Sequence, residues 1–280
     1  MKSVEHISDL EICDIAKQRL LSVEGDPFLF ADWERVVFLH YVIDPDLVRP
    51  HVPDSLALEL HEGNACVSLA AVTMRGFRPC RPGSAGWLFR PIAEQRFLNV
   101  RTYVRCGEEP GVLFIRGWLS QPFGLGLPSG MFGLPYAFGS LDYEHHHQTG
   151  AIHGQVTGKA SQGRLAYHAS VNPNASFQPC ASGSLAEFAM ERNTGFFCRR
   201  DNVHVFRAWH PPWLQTAIDV TIKDDSLLTT VFPWFKEARL AAANFAPGFQ
   251  RVWLGRAHRL QKACRGRTPH KALCTFFEMP

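Results

Sequence analysis

Two alternating segments, 95–105 and 112–120, constrain the fold of this chain more than any other feature of its sequence. In the first segment Phe97, Asn99 and Arg101 occupy every second position, and the second segment alternates in the same way. A period of two is that of a β-strand, whose successive side chains point to opposite faces. Because only Gly107-Glu108-Glu109-Pro110 separates the two segments, they predict an antiparallel β-hairpin.

One face of this hairpin carries the candidate binding residues. A four-residue turn at 107–110 would place Asn99, Arg101 and Tyr103 on that face, with Arg116 directly opposite Arg101. Two opposed guanidiniums repel each other, so this register predicts either a well-hydrated face or a negative group between or above them. That group is either a carboxylate or phosphate ligand held by a bidentate fork, or an internal acidic side chain, which is the commoner arrangement. A register shifted by one residue would abolish the pair. The internal candidates are Glu94, Asp142, Glu144, Glu187 and Glu191.

The rest of the chain predicts strands, with few helices. A capping box at Ser8 and Glu11 begins a helix that Gly25-Asp26-Pro27 ends, and Ser184 begins a second helix that runs to about Arg192. The segments rich in Gly and Pro, 78–91 and 121–139, are expected to be loops. Without a βαβ alternation, the order of elements indicates an α+β, mostly antiparallel fold. Further strands are predicted at 35–43, 56–60, 65–74, 141–144, 152–158, 164–171, 203–209 and 250–254.

Composition and charge exclude several classes of protein. The chain has 280 residues, of which 46% are hydrophobic and 12% aromatic, so it can bury a large core and is not disordered. Its net charge of +3 gives no reason to expect a nucleic-acid partner. The apolar runs are too short to cross a membrane, and acidic residues interrupt the N-terminus where a signal peptide would be apolar. We therefore expect a cytoplasmic protein.

The distribution of charge suggests how the chain is divided. Residues 251–280 contain seven basic residues and a single acidic one, and they lack hydrophobic periodicity from about Leu260. We therefore expect an N-terminal helical extension at 1–31, a single domain at 32–259 and a basic, flexible tail at 260–280.

Metal and cofactor sites are not expected. The eight cysteines form no C-x-x-C pair. The run His145-His146-His147, together with His153, could supply imidazole ligands, but consecutive strand residues alternate between faces and cannot converge. His210, in Trp209-His210-Pro211-Pro212-Trp213, is either a general acid–base or, more commonly at such a turn, a packed histidine.

Five short elements follow one another along the chain. They are Asn99–Val104, Gly111–Phe114, Gly133–Tyr136, Ser184–Phe188 with Glu191-Arg192, and His210–Trp213. Taken in this order, they resemble a bacterial family, domain-of-unknown-function family 2071, also called YqjF-like. The resemblance extends from about Asp32 to about Arg256. It implies the acetoacetate-decarboxylase-like fold, a cone-shaped β-barrel wrapped by further antiparallel strands.

The resemblance also implies what this chain lacks. The decarboxylase forms a Schiff base through a lysine in the motif G-x-P-K-K, which Gly133-Leu134-Pro135 matches. Tyr136 and Ala137 then stand where the two lysines would be, and a tyrosine cannot form a Schiff base. The chain departs from its own family as well, with Asn193 in place of a tyrosine and Phe97 in place of a glutamate.

Two functional hypotheses remain open at this point. In the first, the chain is an enzyme acting on a small carboxylate or carbonyl compound, with arginines orienting an anion and Tyr136 donating a proton. In the second, it binds a small anionic ligand without catalysis, or its polar interior only stabilises the fold. In either case the expected cavity includes Asn99, Arg101, Tyr103, Arg116 and Tyr136, with His210 nearby. The sequence does not identify the ligand, the oligomeric state or the role of the basic tail.

Overall fold

The computed structural model describes residues 9–81, 94–121, 133–159 and 162–260. The predicted Ser8 cap and the basic tail beyond Leu260 lie outside these ranges. Helices α1 to α4 cover Asp9–Leu21, Pro45–Val48, Leu185–Met190 and Ser226–Val231. Single 3₁₀ turns lie at Arg49–His51, His147–Thr149 and Pro233–Glu237. None of the helices in the described ranges is long and apolar enough to span a lipid bilayer.

The strands account for most of the fold. In the first half of the chain they are β1 (Leu29–Ile43), β2 (Ala57–Leu58), β3 (Leu60–His61), β4 (Asn64–Pro79), β5 (Glu94–Cys106), β6 (Glu109–Leu119), β7 (Tyr136–Phe138) and β8 (Ser140–His146). The second half contributes β9 (Ala151–Thr157), β10 (Arg164–Ser170), β11 (Gln178–Pro179), β12 (Thr194–Arg199), β13 (Asn202–Trp209), β14 (Leu214–Ala217), β15 (Asp219–Asp224), β16 (Arg239–Leu254) and β17 (His258–Arg259).

These strands form two sheets, and the larger one closes on itself. Its order runs β16-β1-β4-β5-β6-β12-β13, and β13 pairs again with β16 to complete a ring. The pairs within the ring are antiparallel except β6–β12, which is parallel. The smaller sheet has the order β15-β10-β9-β8. The expectation of a mostly antiparallel, strand-rich fold is confirmed.

The two faces of the ring bury different residues. Leu98 and Val100 of β5 pack, with Ile152 and Tyr167 of the smaller sheet, into the main hydrophobic core. Side chains on the opposite face, such as Phe38, Ala70 and Phe97, form a second cluster inside the ring. Alternation along each long strand therefore fills the ring on one side and attaches the smaller sheet on the other.

Local sequence signals locate several element ends. Asp44 accepts a hydrogen bond from the backbone of Asp46 and precedes the first-turn proline of α2. Ser184 caps α3 by accepting from the Glu187 backbone, as predicted, although the helix ends at Met190 instead of Arg192. The predicted loop at 121–139 contains the short strand β7, and the predicted loop at 78–91 begins within β4. Residues 82–93 and 122–132 of these loops lie outside the described ranges.

Candidate ligand-binding cavity

A cavity of about 240 Å³ lies inside the ring, and all seven ring strands contribute to its wall. Most of the lining is apolar, with aromatic side chains prominent. No aspartate, glutamate or lysine is among the described residues that line it. Its polar lining residues are Gln95, Asn99, Arg101, Tyr136, Arg192, Asn193, Thr194 and His210.

Arg101 projects into this cavity from β5, but Arg116 does not oppose it. The turn has two residues, Gly107 and Glu108, so Val100 pairs with Arg116 and Arg101 pairs with Phe114. The register skips Ile115, and this bulge reverses the alternation of β6. Arg116 therefore shares the face of Val100, outside the cavity. The predicted Arg101–Arg116 pair is wrong.

Arg101 is a cation without a carboxylate partner in the described part of the chain. One terminal nitrogen donates to the backbone oxygen of Ala189 at 3.1 Å, and the guanidinium carbon lies 5.2 Å from the centre of the Phe38 ring. Its Nε is buried without a hydrogen-bond partner. A guanidinium held in this way keeps its charge available to an anion.

Arg192, the other arginine that lines the cavity, is neutralised. Its Nη1 donates to Glu59 at 2.6 Å, and its Nε donates to the carbonyl oxygen of Phe188 at 2.7 Å. The side chain of Arg192 is 8% exposed, and Glu59 also binds Arg105. Burial lowers the pKa of Arg192, while Glu59 opposes that shift. Among the described residues, two guanidiniums line the cavity, and Glu59 balances the charge of one of them.

Tyr136 and Asn99 form a hydrogen-bonded pair on the wall. The Tyr136 hydroxyl donates to Asn99 Oδ1 at 2.5 Å. Burial raises the pKa of the Tyr136 phenol above its ordinary value, and the Asn99 hydrogen bond and the Arg101 charge only partly oppose that shift. Tyr136 is therefore a neutral phenol near neutral pH. It can exchange a hydrogen bond with a ligand but is a poor base.

His210 lines the cavity inside an aromatic cluster. Its Nδ1 donates to the Pro211 carbonyl oxygen at 2.7 Å, and the ring stacks on Phe249 at 4.7 Å between centroids. Burial lowers the pKa of His210 to about 4, so its Nε2 is an unprotonated acceptor at neutral pH. The backbone amide of Trp213 donates to Glu191 Oε1 at 2.8 Å, which fastens this turn to the end of α3.

Tyr103 is deeper than the cavity wall. Its hydroxyl donates to Ser68 Oγ at 2.5 Å, and Ser68 Oγ lies 2.7 Å from Nδ1 of His40. All three side chains are buried. Burial, reinforced by the charge of Arg101, lowers the pKa of His40 to about 3. These three hydrogen-bonded side chains lie behind the cavity wall and do not line the cavity.

The histidine run does not converge. His145 is buried, with Nδ1 2.7 Å from the Arg35 carbonyl oxygen and Nε2 2.9 Å from the Tyr167 hydroxyl. His146 is exposed, and His147 packs against Phe245. Within the described ranges, no group of three or more histidine, cysteine or acidic side chains is placed to hold a metal ion.

The sequence pattern predicts only part of the cavity lining. Gln95 continues the same-face series of Phe97, Asn99 and Arg101 by one step, so the period of two could have identified it. Arg192 was interpreted as a helix-end residue, and it does bind a carbonyl of α3, but its partner Glu59 is 133 positions away. Nothing in the sequence around Trp33 and Phe38 distinguishes these lining residues from ordinary core residues.

Taken together, the closed ring and its cavity define a strand-rich, mostly antiparallel protein with an internal pocket. The profile of the family DUF2071, described as "Uncharacterized conserved protein", matches residues 31–247, and the chain belongs to this family. It is 26% identical over 211 residues to the uncharacterized protein YqjF of Bacillus subtilis (strain 168), covering 74% of this chain and 83% of that one.

Solved structures show that the chain has the acetoacetate-decarboxylase-like fold. The enduracididine biosynthesis enzyme MppR, complexed with pyruvate, superimposes with a TM-score of 0.58 at 15% identity, covering 87% of this chain and 94% of that one. Acetoacetate decarboxylase from Legionella pneumophila gives a TM-score of 0.55 at 12% identity, covering 93% and 98% of the two chains. At these identities the likeness concerns the fold alone.

Proposed function

We propose that residues 32–259 form one ligand-binding domain that holds a small carboxylate in the ring, with Arg101 as its anchor. The observation that carries this proposal is the charge balance of the cavity. Arg101 has no carboxylate partner among the described residues, and the described lining contains no acidic side chain. A partly buried cation without a counter-charge is costly, and an anionic ligand relieves that cost.

The polar groups of the wall fit the two ends of such a ligand. Arg101 offers terminal N–H groups to a carboxylate, while the Tyr136–Asn99 pair and His210 Nε2 offer further hydrogen bonds. MppR is described in complex with pyruvate, which supports testing 2-oxo acids first. If the protein is an enzyme, Tyr136 is the candidate proton donor and His210 the candidate acceptor. If it is not, the same contacts serve binding alone.

Schiff-base chemistry is not part of this proposal. Of the lysines in the described ranges, Lys17, Lys159, Lys223 and Lys236, none lines the cavity. Tyr136 stands where the matching motif would place the amine. Treatment with pyruvate and borohydride should therefore leave the protein mass unchanged by intact mass spectrometry. A stable adduct mapped to any lysine would refute this part of the proposal.

The binding test compares two arginine variants on the same strand. Calorimetric titration with pyruvate and acetoacetate should show saturable binding to the wild type, and Arg101→Met should weaken it at least tenfold. Arg96→Met is the matched control, because Arg96 lies on the opposite face of β5 and binds the Leu141 carbonyl oxygen. Equal affinity in all three proteins would overturn the proposal. Monitoring the loss of each compound by NMR then separates catalysis from binding.

A further inference from the structure

The cavity has a larger apolar wall than a two- or three-carbon acid can cover. Phe38 lies beneath the Arg101 guanidinium, and its ring meets Trp213 edge-on at 5.1 Å between centroids. Trp213 in turn stacks on Trp33 at 6.1 Å. A continuous aromatic surface therefore leads away from the anion anchor toward the far side of the cavity.

The volume is suited to one ring with a short link. A cavity of about 150 Å³ is enough to hold benzene in an apolar protein core. The 240 Å³ available here leaves room for a carboxylate and one or two linking carbons.

The charges of the wall allow a single anionic group. Glu59 already balances Arg192, so Arg101 is the cation that remains for a ligand within the described lining. A second carboxylate on the ligand would have to be desolvated against aromatic side chains without a partner, which is unfavourable.

We propose that the ligand of this cavity is a monocarboxylate carrying a single aromatic ring or an apolar group of similar size. This inference rests on the proposed function and specifies the ligand class of the same site. The carboxylate binds Arg101, and the apolar body packs along Phe38 and Trp213 toward Trp33.

A series of acids tests the inference on the wild-type protein. Acetate, pyruvate, phenylacetate, 3-phenylpropanoate and phenylpyruvate are titrated by calorimetry, with phenylsuccinate and benzyl alcohol as comparisons. Each buried methylene contributes about a fourfold gain in affinity, so the phenyl acids should bind at least ~10-fold more tightly than acetate or pyruvate. Phenylsuccinate should bind more weakly than 3-phenylpropanoate, and benzyl alcohol more weakly than phenylacetate.

The outcomes separate this inference from the proposed function. If acetate and pyruvate bind through Arg101 as tightly as the phenyl acids, the proposed aromatic ligand class is wrong. The proposal that Arg101 anchors a carboxylate is then still supported. Tighter binding of phenylsuccinate would also refute the monocarboxylate class. If no acid binds, or if benzyl alcohol binds as well as phenylacetate, the anchor itself is wrong.

A cavity-filling variant provides a second test. Ala70 is buried on β4 and lines the cavity, so Ala70→Leu should weaken phenyl acids at least tenfold and leave acetate nearly unchanged. Ala217→Leu, at an exposed position of β14, is the matched control. Unchanged phenyl-acid affinity in a folded Ala70→Leu protein would contradict the proposed position of the ring.

Discussion

Replacing Glu59 by glutamine would leave the Arg192 guanidinium inside the protein without its counter-charge. The two side chains are 15% and 8% exposed, and their closest atoms are 2.6 Å apart. Removing one partner of a buried ion pair costs about 3–5 kcal/mol, because the remaining charge stays desolvated. The additional pair with Arg105, whose side chain is 39% exposed, contributes less than about 1 kcal/mol. Since glutamine retains one hydrogen-bond acceptor, we expect a loss of about 3 kcal/mol.

Urea unfolding at pH 7 measures this loss directly. In a thermal melt, about 3 kcal/mol corresponds to a decrease in Tm of roughly 6–9 °C for a domain of this size. Glu94→Gln is the matched control, because Glu94 pairs with Arg75 at the surface and is 58% exposed. It should lose no more than about 0.5 kcal/mol. Equal losses in the two variants would refute the reasoning that Glu59 balances a buried charge.

The same substitution has a second consequence for binding. Without Glu59, Arg192 becomes a second unbalanced cation in the cavity wall. Phenylsuccinate should then bind the Glu59→Gln protein more tightly than 3-phenylpropanoate, the reverse of the order expected for the wild type. An unchanged order would show that Arg192 is not accessible to the ligand.

Two further predictions concern the stability of the folded protein. Three buried histidines have pKa values lowered by burial, to about 3 for His40 and about 4 for His145 and His210. Because the unfolded chain takes up their protons below about pH 6.5, stability is complete above that pH and falls toward pH 4. His145→Gln should reduce the slope of unfolding free energy against pH by about 1.4 kcal/mol per unit, and an unchanged slope would contradict this. Gly117→Ala should cost about 1–3 kcal/mol in urea unfolding, because its Cβ would meet the Tyr136 ring and approach the Leu98 carbonyl oxygen to 2.9 Å; a neutral variant would contradict the packing of Tyr136.

The sequence predicted the hairpin and the common face of Asn99 and Arg101 on β5, but it did not predict their partners across the sheet or that Tyr103 lies behind the cavity wall. Alternation reports which face a residue occupies within one strand, so Asn99 and Arg101 were placed correctly on one face. Register depends on the turn, and Glu109 and Pro110 extend β6 instead of turning. The reason is tertiary, since Glu109 binds Arg207 at 2.8 Å and Thr194 at 2.7 Å. Residues so far apart in the chain leave no sign of their contact in the local sequence around the turn.

The strands that complete the ring show the same limit. The period of two predicted 250–254, yet β16 begins at Arg239, and β12 at Thr194–Arg199 was not predicted. β12 joins the ring through a parallel pair with β6, in which Gly195 lies against Phe114 and Phe206. When only the neighbouring residues are considered, a glycine predicts an interruption of the strand. In the folded protein its missing side chain is what allows two aromatic rings to approach the strand.

The charge of the cavity wall determines how ligand binding should depend on pH. Tyr136 remains neutral because burial raises its pKa, and His210 remains neutral above its pKa of about 4. Arg192 is balanced by Glu59, so the described part of the cavity wall keeps the same net charge, that of the Arg101 guanidinium, between pH 5.5 and pH 8.5. A phenyl acid is fully ionised over this range, since an ordinary carboxyl has a pKa of about 4. The dissociation constant for 3-phenylpropanoate should therefore change less than about threefold across these pH values in calorimetric titrations, because neither partner changes charge. A tenfold change with a midpoint in this range would mean that a titrating group in the wall takes part in binding, and Arg101 would then not be the sole anchor.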